Sequence, residues 1–249
     1  MANVIKLRKG LDVNLKGKAA KEEFQVKKPA VYALVPDDFT GMKPKVVVKE
    51  NDVVKVGDSL FVDKNHPEIK FVSPVSGRVT MVERGDRRKV LSVRVEADAE
   101  QQYVDFGKKN VGQMTAQEVK NLLLESGLFG FFRQRPYDVT ANPSDTPKAI
   151  FVSAFNSMPL AADFEYVLRG READFQAGLD ALAKMAKTYL GVSSKQTATA
   201  LTAAKNVEIN FFDGPAPAGN VGVQINRVSP INKGEVVWTL GAEEVIFIG

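Results

Sequence analysis

The sequence contains no cysteine, which excludes disulfide bonds, thiol nucleophiles, cysteine-bound zinc and iron–sulfur clusters. It contains a single histidine, His66, so a site built from several imidazoles is excluded as well. No apolar run approaches the roughly 18 residues of a membrane-spanning helix. The N-terminal stretch is basic and lacks the apolar core of a signal peptide. These absences predict a cytoplasmic protein, and the length of 249 residues with 44% hydrophobic residues predicts one or two domains.

Charge gives a second limit on function. The formal net charge of +4 is too small to indicate nucleic-acid binding. Residues 1–28 nevertheless hold eight Lys and Arg against three acidic residues, and a second basic cluster, RGDRRK, covers residues 84–89. Such clusters are typical of solvated tails and turns, but they also suit anionic lipid headgroups or an acidic partner. The sequence leaves both interpretations open.

The first hundred residues have the pattern of a small β domain. Short apolar or alternating runs recur and are separated by turn residues at close spacing, as in a compact barrel or sandwich. Residues 1–100 are therefore predicted to form this domain, and residues 101–114 to form a linker.

The hydrophobic period changes at Thr115, where Thr115 and Glu118 form a capping box ahead of an amphipathic helix that ends near Gly127. Strands are predicted at 149–155, 207–213 and in EVVWTLG and EEVIFIG, the last of which ends the sequence. The order and spacing of the predicted helices and strands indicate a mostly parallel α/β domain over residues 115–249.

Two further helices are predicted in this domain. One spans 171–191, and the other begins at Ser193 and runs to about Lys205. The apolar stripe of the first consists of Phe175, Leu179, Leu182, Met185 and Tyr189.

Lys64 occupies the position where carrier domains display a lipoyl or biotinyl lysine. The runs VVKVGDSLFVDK and SPVSGRV resemble the pattern of those domains, but NHPEI lengthens the tip and Pro67 stiffens it. This difference from the carrier-domain pattern favours an ordinary exposed lysine in the hairpin, with His66 beside it in the loop. A carrier protein remains the alternative.

Three other segments could belong to a site. GPAPAG, residues 214–219, follows a strand, but its prolines lack the N–H groups of a phosphate loop, so a shaped turn is favoured. LFGFFRQRPY, residues 128–137, fits either core packing or a flat apolar ligand with polar carbonyls, because arginine stacks on aromatic faces. VPDDFTGMKP, residues 35–44, adds Phe39 and Met42 on a turn.

Taken in order, these pieces resemble the A subunit of the bacterial Na⁺-translocating NADH:quinone reductase over nearly the whole chain. The resemblance rests on KLRKGLDVNLKGK, VYALVPDDFTGMKPKVVVKENDVVKVGDSLFVDK, HPEIKFVSPVSGRVTMVERGDRRKVLSVRVE, LLLESGLFGFFRQRPYDV, AIFVSAFNSMPLAADF and GPAPAGNVGVQI. It implies an N-terminal barrel-sandwich hybrid of the lipoyl/biotinyl type, followed by a Rossmann-like domain. It also implies a longer natural chain, with a β-grasp-like domain beyond Gly249.

The same resemblance implies a role in electron transport and sodium transport. The chain would be a peripheral cytoplasmic subunit, held to the bacterial inner membrane by a membrane-embedded partner. It would not be catalytic alone, would bind no nucleic acid and would act on quinone. NADH, flavins and iron–sulfur centres would bind to other subunits.

The α/β half is more distantly similar to the flavin- and NADH-binding subunit of respiratory complex I. Those flavoproteins follow Ser-Gly-Leu with a run of glycines that lets the backbone approach the FMN phosphate. Here Phe131, Phe132 and Arg133 take those places. The acidic motif after the next strand is also reduced to Pro159 and Asp163. The comparison implies a Rossmann-like domain without a flavin, and no cofactor or metal bound by this chain.

The resemblance directs the site prediction to two turns. The predicted quinone-binding residues are Phe39, Gly41, Met42, Arg133, Arg135, Pro136 and Tyr137. The aromatic rings would stack on the quinone, and an arginine would donate to a carbonyl oxygen that becomes negative on reduction. The alternatives are a purely structural scaffold subunit without a small-molecule site and a soluble flavin oxidoreductase.

Overall fold

The structure is a computed structural model that describes residues 4–13, 15–17, 20–161 and 163–249. Its strands, in chain order, are β1 (Val4–Lys6), β2 (Val31–Leu34), β3 (Pro44–Val46), β4 (Val53–Val54), β5 (Ser59–Asp63), β6 (Lys70–Val72), β7 (Gly77–Arg84), β8 (Val90–Ala97), β9 (Arg133–Arg135), β10 (Val139–Thr140), β11 (Ile150–Ser153), β12 (Thr188–Ser193), β13 (Glu208–Asp213) and β14 (Val237–Gly241). Its α-helices are α1 (Ala116–Glu125), α2 (Phe164–Val167), α3 (Glu172–Met185), α4 (Thr199–Thr202), α5 (Val221–Val228) and α6 (Ala242–Ile248). Short 3₁₀ helices span Pro36–Asp38, Asp86–Arg88, Val111–Gln113 and Leu128–Phe131.

Strands β2 to β8 form the N-terminal β domain as two antiparallel sheets, ordered β2-β8-β7-β4 and β3-β5-β6. Alternation along β8 directs Val93 and Val95 inward, where they join Leu60 and Phe61 of β5 in one buried cluster. Burying these apolar side chains between two sheets is what stabilises such a small domain. The predicted β architecture is therefore present.

Lys64 lies just after β5 in the turn that leads to β6. Its backbone N–H donates to the Lys43 carbonyl at 2.7 Å, and the neighbouring Asp63 carboxylate accepts from the Asn65 N–H at 3.0 Å. The Lys64 side chain is exposed, as predicted for a hairpin lysine.

The larger sheet has the order β1-β13-β12-β11-β14-β9-β10. The first five strands are parallel, and β9 and β10 add an antiparallel edge. The chain runs from β11 to β12 and β13 on one side, and then crosses to β14 on the other side of β11. This reversal creates a crevice at the carboxyl ends of β11 and β14, where Rossmann-like folds bind ligands.

The N-terminal strand β1 lies in this larger sheet, parallel to β13, although the sequence predicts that residues 1–100 belong to the β domain. The domain limits at residues 100 and 114 stay predictions.

Helix α1 begins as predicted. The Thr115 hydroxyl accepts from the Glu118 N–H at 3.3 Å, and the Glu118 carboxylate accepts from the Thr115 N–H at 2.7 Å. These backbone and side-chain hydrogen bonds lower the pKa of Glu118 below its ordinary value. Val119 and Leu123 form the buried face.

Replacing the cap tests its contribution. We expect Thr115→Ala to lower the free energy of unfolding by about 1 kcal/mol, because the first turn loses a hydrogen-bond acceptor. Urea denaturation followed by circular dichroism measures this change. Thr146→Ala, at an exposed loop position, is the matched control and should lie within about 0.5 kcal/mol of the parent. Equal effects of the two variants would contradict the capping role.

The helix predicted over 171–191 is too long. Helix α3 ends at Met185, and Ala186 is extended (φ −160°, ψ 167°). Tyr189 lies instead on β12, where it pairs with Phe151 and stacks on its ring at 4.7 Å. At Tyr189, parallel pairing with β11 outweighs the helical repeat of apolar residues. Phe175, Leu179 and Leu182 are buried on α3 as predicted.

Two other predicted elements are wrong. The helix predicted from Ser193 to Lys205 is reduced to the single turn α4, because Ser193 still pairs in β12. The C-terminal EEVIFIG, predicted to be a strand, forms α6. Its first turn carries Glu243 and Glu244, which favour a helix N-terminus. Val245 then packs against the backbone of Gly178, where no side chain would fit.

Candidate functional site

The two turns predicted to form a site lie against each other. The Thr140 N–H donates to the Thr40 carbonyl at 2.8 Å, which joins the end of the second segment to the first turn. A Cβ atom at Gly41, whose φ is +89°, would lie 2.8 Å from the Val139 Cβ. Glycine is therefore needed where the two segments, far apart in sequence, meet.

An apolar cavity of about 560 Å³ opens between the two domains, and we name it the interdomain groove. Small-molecule sites measure roughly 300–1,000 Å³. The groove is lined by residues of the β domain, the connecting segment, the 3₁₀ turn after α1 and helix α6: Leu34, Phe39, Val56, Gly57, Phe71, Val72, Ser73, Pro74, Tyr103, Val104, Phe106, Ser126, Gly127, Leu128, Gly130, Phe131 and Phe247. It has the size and lining of a site for a flat apolar molecule.

Two glycines bring the domains close enough to form this groove. A Cβ at Gly127, where φ is +79°, would lie 2.6 Å from Val72 Cγ1, and one at Gly130 would lie 3.1 Å from the Phe71 ring. Phe71 in turn packs against Phe39, with ring centroids 4.4 Å apart. The Ser-Gly-Leu-Phe-Gly stretch thus provides close packing against the β domain.

The aromatic residues of LFGFFRQRPY have different environments. Phe129 and Phe132 are fully buried and stack on each other at 5.0 Å, next to Trp238. Phe131 is 37% exposed and faces Phe247 at 6.2 Å. The segment therefore supplies both core and site.

A second, polar cavity of about 500 Å³ lies at the carboxyl ends of β11 and β14, and we name it the strand-end cleft. It is lined by Phe131, Arg133, Arg135, Asp138, Ser153, Phe155, Asn156, Ser157, Met158, Phe164, Ala216, Pro217, Gly219, Asn220, Val221, Thr239, Leu240, Gly241, Glu243 and Glu244. Phe131 lines both cavities and so marks the place where they adjoin.

Asp138 holds the two arginines of the cleft. Arg133 Nη2 donates to the Asp138 carbonyl oxygen at 2.8 Å, and its Nε lies 3.3 Å from Asp138 Oδ1. Arg135 Nη2 lies 3.4 Å from the same carboxylate oxygen. Arg135 Nε is buried and has no acceptor within the part of the chain that the structure describes. One carboxylate therefore serves two guanidinium groups.

The lining of the cleft at the end of β14 is acidic. A Cβ at Gly241 would lie 2.5 Å from Glu244 Oε2 and 3.2 Å from Glu243 Oε2, so both carboxylates lie over the end of β14. Burial raises the pKa of the Glu243 carboxyl above its ordinary value, and the nearby Glu244 carboxylate adds to the rise.

The predicted site residues are distributed unevenly around these cavities. Phe39 lines the groove, and Arg133 and Arg135 line the cleft. Gly41 and Met42 line a separate cavity of about 340 Å³ that Phe39 also reaches. Pro136 and Tyr137 are exposed, and neither lines any of these three cavities.

Sequence reasoning missed several groove residues. Tyr103 and Phe106 lie in the segment predicted to be a linker, and Phe247 lies on the helix predicted to be a strand. Two aromatic residues in so short a polar connection were the available signal.

The loop 214–219 is a shaped turn and also a wall of the cleft. Gly214 has φ +136°, and a side chain there would overlap the Leu7 carbonyl. Ala216, Pro217 and Gly219 face the cavity. No group of three or more acidic or histidine side chains is placed to hold a metal ion in the described ranges.

Comparison with known proteins gives matches over both domains. The family described as "NqrA N-terminal barrel-sandwich hybrid domain" matches residues 5–98, and "NqrA second alpha/beta domain" matches residues 114–249. Proteins named as the A subunit of Na⁺-translocating NADH-quinone reductase are similar along 99% of this chain. They include those of Yersinia pseudotuberculosis (35% identity), Pseudomonas aeruginosa (34%) and Vibrio vulnificus (35%). The chain spans 56% of the length of these relatives.

Proposed function

The chain belongs to the NqrA family, and on that premise we propose that it binds quinone as the A subunit, or part of it, of a Na⁺-translocating NADH-quinone reductase. It carries no redox cofactor of its own and anchors the peripheral assembly to a membrane-embedded subunit on the cytoplasmic side. The observation that carries the proposal is the position of Phe131, which connects an apolar groove to a cleft with two arginines.

The groove suits the apolar part of a quinone. Phe39 and Phe131 present aromatic faces for the ring, and Leu34 and Leu128 extend the apolar lining for a prenyl tail. Offset aromatic stacking contributes about 0.5–1.5 kcal/mol beyond the burial of area. A ring that stacks on Phe131 would lie where the groove adjoins the cleft.

The arginines suit the polar part of the same ligand. Arg133 is two residues from Phe131 and lies on β9, which directs Arg133 and Arg135 to one face. A guanidinium hydrogen bond to a quinone carbonyl strengthens as the oxygen gains negative charge on reduction. Asp138 holds the Arg133 guanidinium, so little reorganisation is needed. Gly41, Met42, Pro136 and Tyr137 lie on the turns that carry these residues, and we propose that they also belong to the quinone site.

The assignment of redox centres to other subunits is supported by the side chains that replace the glycine run of the related flavoproteins. Phe131 and Arg133 fill the approach that a flavin phosphate would need. No helix in the described residues is long and apolar enough to cross a membrane, and the proposed anchoring relies on partner subunits.

Titration of the chain with a short-chain ubiquinone, followed by quenching of Trp238 fluorescence, tests this function. We expect saturable binding that weakens about tenfold or more in Phe131→Ala and in Arg133→Ala, since a hydrogen bond to a charged group contributes about 1.5–3 kcal/mol. Tyr137→Ala reports whether the second turn reaches the ligand. Phe24→Ala is the control, because Phe24 is 87% exposed and lines neither cavity.

Two outcomes would contradict the quinone site. One is quenching that never saturates, and the other is equal affinity in the parent, Phe131→Ala and Arg133→Ala. Either outcome would favour a scaffold subunit whose aromatic residues serve packing alone.

A further inference from the structure

The strand-end cleft has opposite charges at its two ends that do not pair with each other. Arg133 and Arg135 line the part beside β9 and the start of α5, which we name the basic end, whereas Glu243 and Glu244 lie over the end of β14, which we name the acidic end. Within the residues that the structure describes, no ion pair of 4.0 Å or less joins either arginine to either glutamate. A ligand that spans the cleft would therefore need an anionic group at one end and hydrogen-bond donors at the other.

Asp138 pairs with both arginines of the basic end, but other donors there have no acceptor. Arg135 Nη1 lies 3.9 Å from the position that a Cβ would take at Gly222, so the guanidinium lies over the first turn of α5. Arg135 Nε is buried without an acceptor in the described residues, and Val221 is the first residue of α5, where a backbone N–H has no partner within the helix. The Asn220 side chain caps only the Gly222 N–H, at 2.8 Å. Aligned peptide dipoles add positive potential at this helix start.

The loop beside α5 completes the basic end. The Ser157 hydroxyl oxygen accepts from the Gly219 N–H at 3.3 Å, which leaves its hydrogen free to donate. A Cβ at Gly219 would lie 2.5 Å from the Ser157 N atom, so glycine allows this approach. An anion with several oxygens, such as a phosphate, matches a fork of guanidinium N–H groups, a backbone N–H and a hydroxyl.

The acidic end has acceptors without donors. Glu244 Oε2 is buried and has no hydrogen-bond partner in the described residues. Adjacent hydroxyls of a ribose are donors that a carboxylate at the end of a parallel strand can accept. Phe155, Met158 and Phe164 also line the cleft, and they offer an apolar wall on which a flat base can lie.

From this arrangement we propose that the strand-end cleft binds a nucleoside monophosphate. The phosphate lies between Arg135 and the start of α5, the ribose hydroxyls donate to Glu244, and the base lies along Phe155 and Phe164. The cleft volume of about 500 Å³ is within the range for such a ligand. An amino acid also carries an anion and donors, but it offers no flat face to the apolar wall.

Isothermal titration of the whole chain with AMP, ribose 5-phosphate and inorganic phosphate tests this site. We expect saturable one-to-one binding, tightest for AMP. Arg135→Gln should weaken all three ligands by at least about tenfold, the loss expected for a charge-assisted hydrogen bond. Arg78→Gln, at an exposed position of β7, is the matched control and should stay within about twofold of the parent. Glu244→Gln should remove most of the preference for AMP over phosphate and leave phosphate affinity intact or higher.

The fold of each variant is verified by its circular dichroism spectrum, and a rise in melting temperature with AMP gives a second readout for the parent. The proposal is overturned if AMP fails to saturate, if Arg135→Gln and Arg78→Gln bind AMP equally, or if free glutamate binds more tightly than AMP. The quinone titration depends on Phe131, which lines the groove, whereas the preference for AMP over phosphate depends on Glu244, which has no part in the quinone site. Failure of one site is thereby distinguished from failure of the other.

Discussion

Gly77→Ala is expected to destabilise the β domain by about 3 kcal/mol or more. Gly77 begins β7 with φ +156°, and a Cβ there would overlap the Glu96 carbonyl oxygen on the paired strand β8. Backbone strain of this kind costs about 1–3 kcal/mol, and forced overlap costs about as much again. Because β7 and β8 form the long hairpin of the domain, we expect a markedly lower urea midpoint.

The matched control is Gly85→Ala at the other end of β7. Gly85 is extended (φ −95°, ψ −158°), and its added Cβ would lie 3.2 Å from the flexible end of the Leu91 side chain. We expect its unfolding free energy to change by less than about 1 kcal/mol. If Gly77→Ala unfolded at the same urea concentration as Gly85→Ala, the register of this hairpin would be wrong.

Trp238→Ala is expected to lower the free energy of unfolding by about 3–5 kcal/mol. Trp238 is 1% exposed and meets Phe129 and Phe132 edge-on at 5.4 and 5.6 Å. Removing the indole leaves a large cavity between the sheet and the 3₁₀ turn that carries Phe131. Urea denaturation followed by circular dichroism measures the loss, since the variant has no tryptophan.

The variant Trp238→Phe separates the contribution of ring packing from that of the indole hydrogen bond. The indole Nε1 donates to Gln134 Oε1 at 3.2 Å, and that oxygen also accepts from the Asn142 N–H at 3.1 Å. Gln134 therefore keeps a partner in the phenylalanine variant, which should lose only about 1–2 kcal/mol. A loss as large as that of Trp238→Ala would show that the hydrogen bond, and not the ring, supports this region.

The sequence predicts the fold best in segments where a single hydrophobic repeat, that of a strand or that of a helix, dominates. The alternation in β8 and the capping box at Thr115 each identify their element, and both are present. The hydrophobic repeat misleads where pairing with another strand of the sheet competes with it. Tyr189 continues the apolar stripe of α3 in sequence, yet it pairs with Phe151 in the sheet.

The C-terminal error has a similar cause. VIFIG is rich in β-branched and aromatic residues, which favour a strand. The segment nevertheless forms α6, because Gly178 leaves room for Val245 to pack against α3. Local composition contains no information about a partner helix that lies so much earlier in the chain.

The candidate site was predictable only in part. LFGFFRQRPY was recognised as unusual, but its sequence does not say that Phe129 and Phe132 point inward while Phe131 points outward. The 3₁₀ turn sets these side-chain directions, and neither helical nor strand periodicity predicts them. The acidic end of the cleft and the aromatic residues of the connecting segment come from parts of the chain that only the fold brings together.

The most direct test of the central claim is a titration of the ¹⁵N-labelled chain with a short-chain ubiquinone, followed by NMR. We expect saturable shifts of backbone signals around the interdomain groove, at Leu34, Phe71, Tyr103, Leu128 and Phe131. Absence of saturable shifts, or saturable shifts only at residues outside the groove, would contradict quinone binding between the two domains.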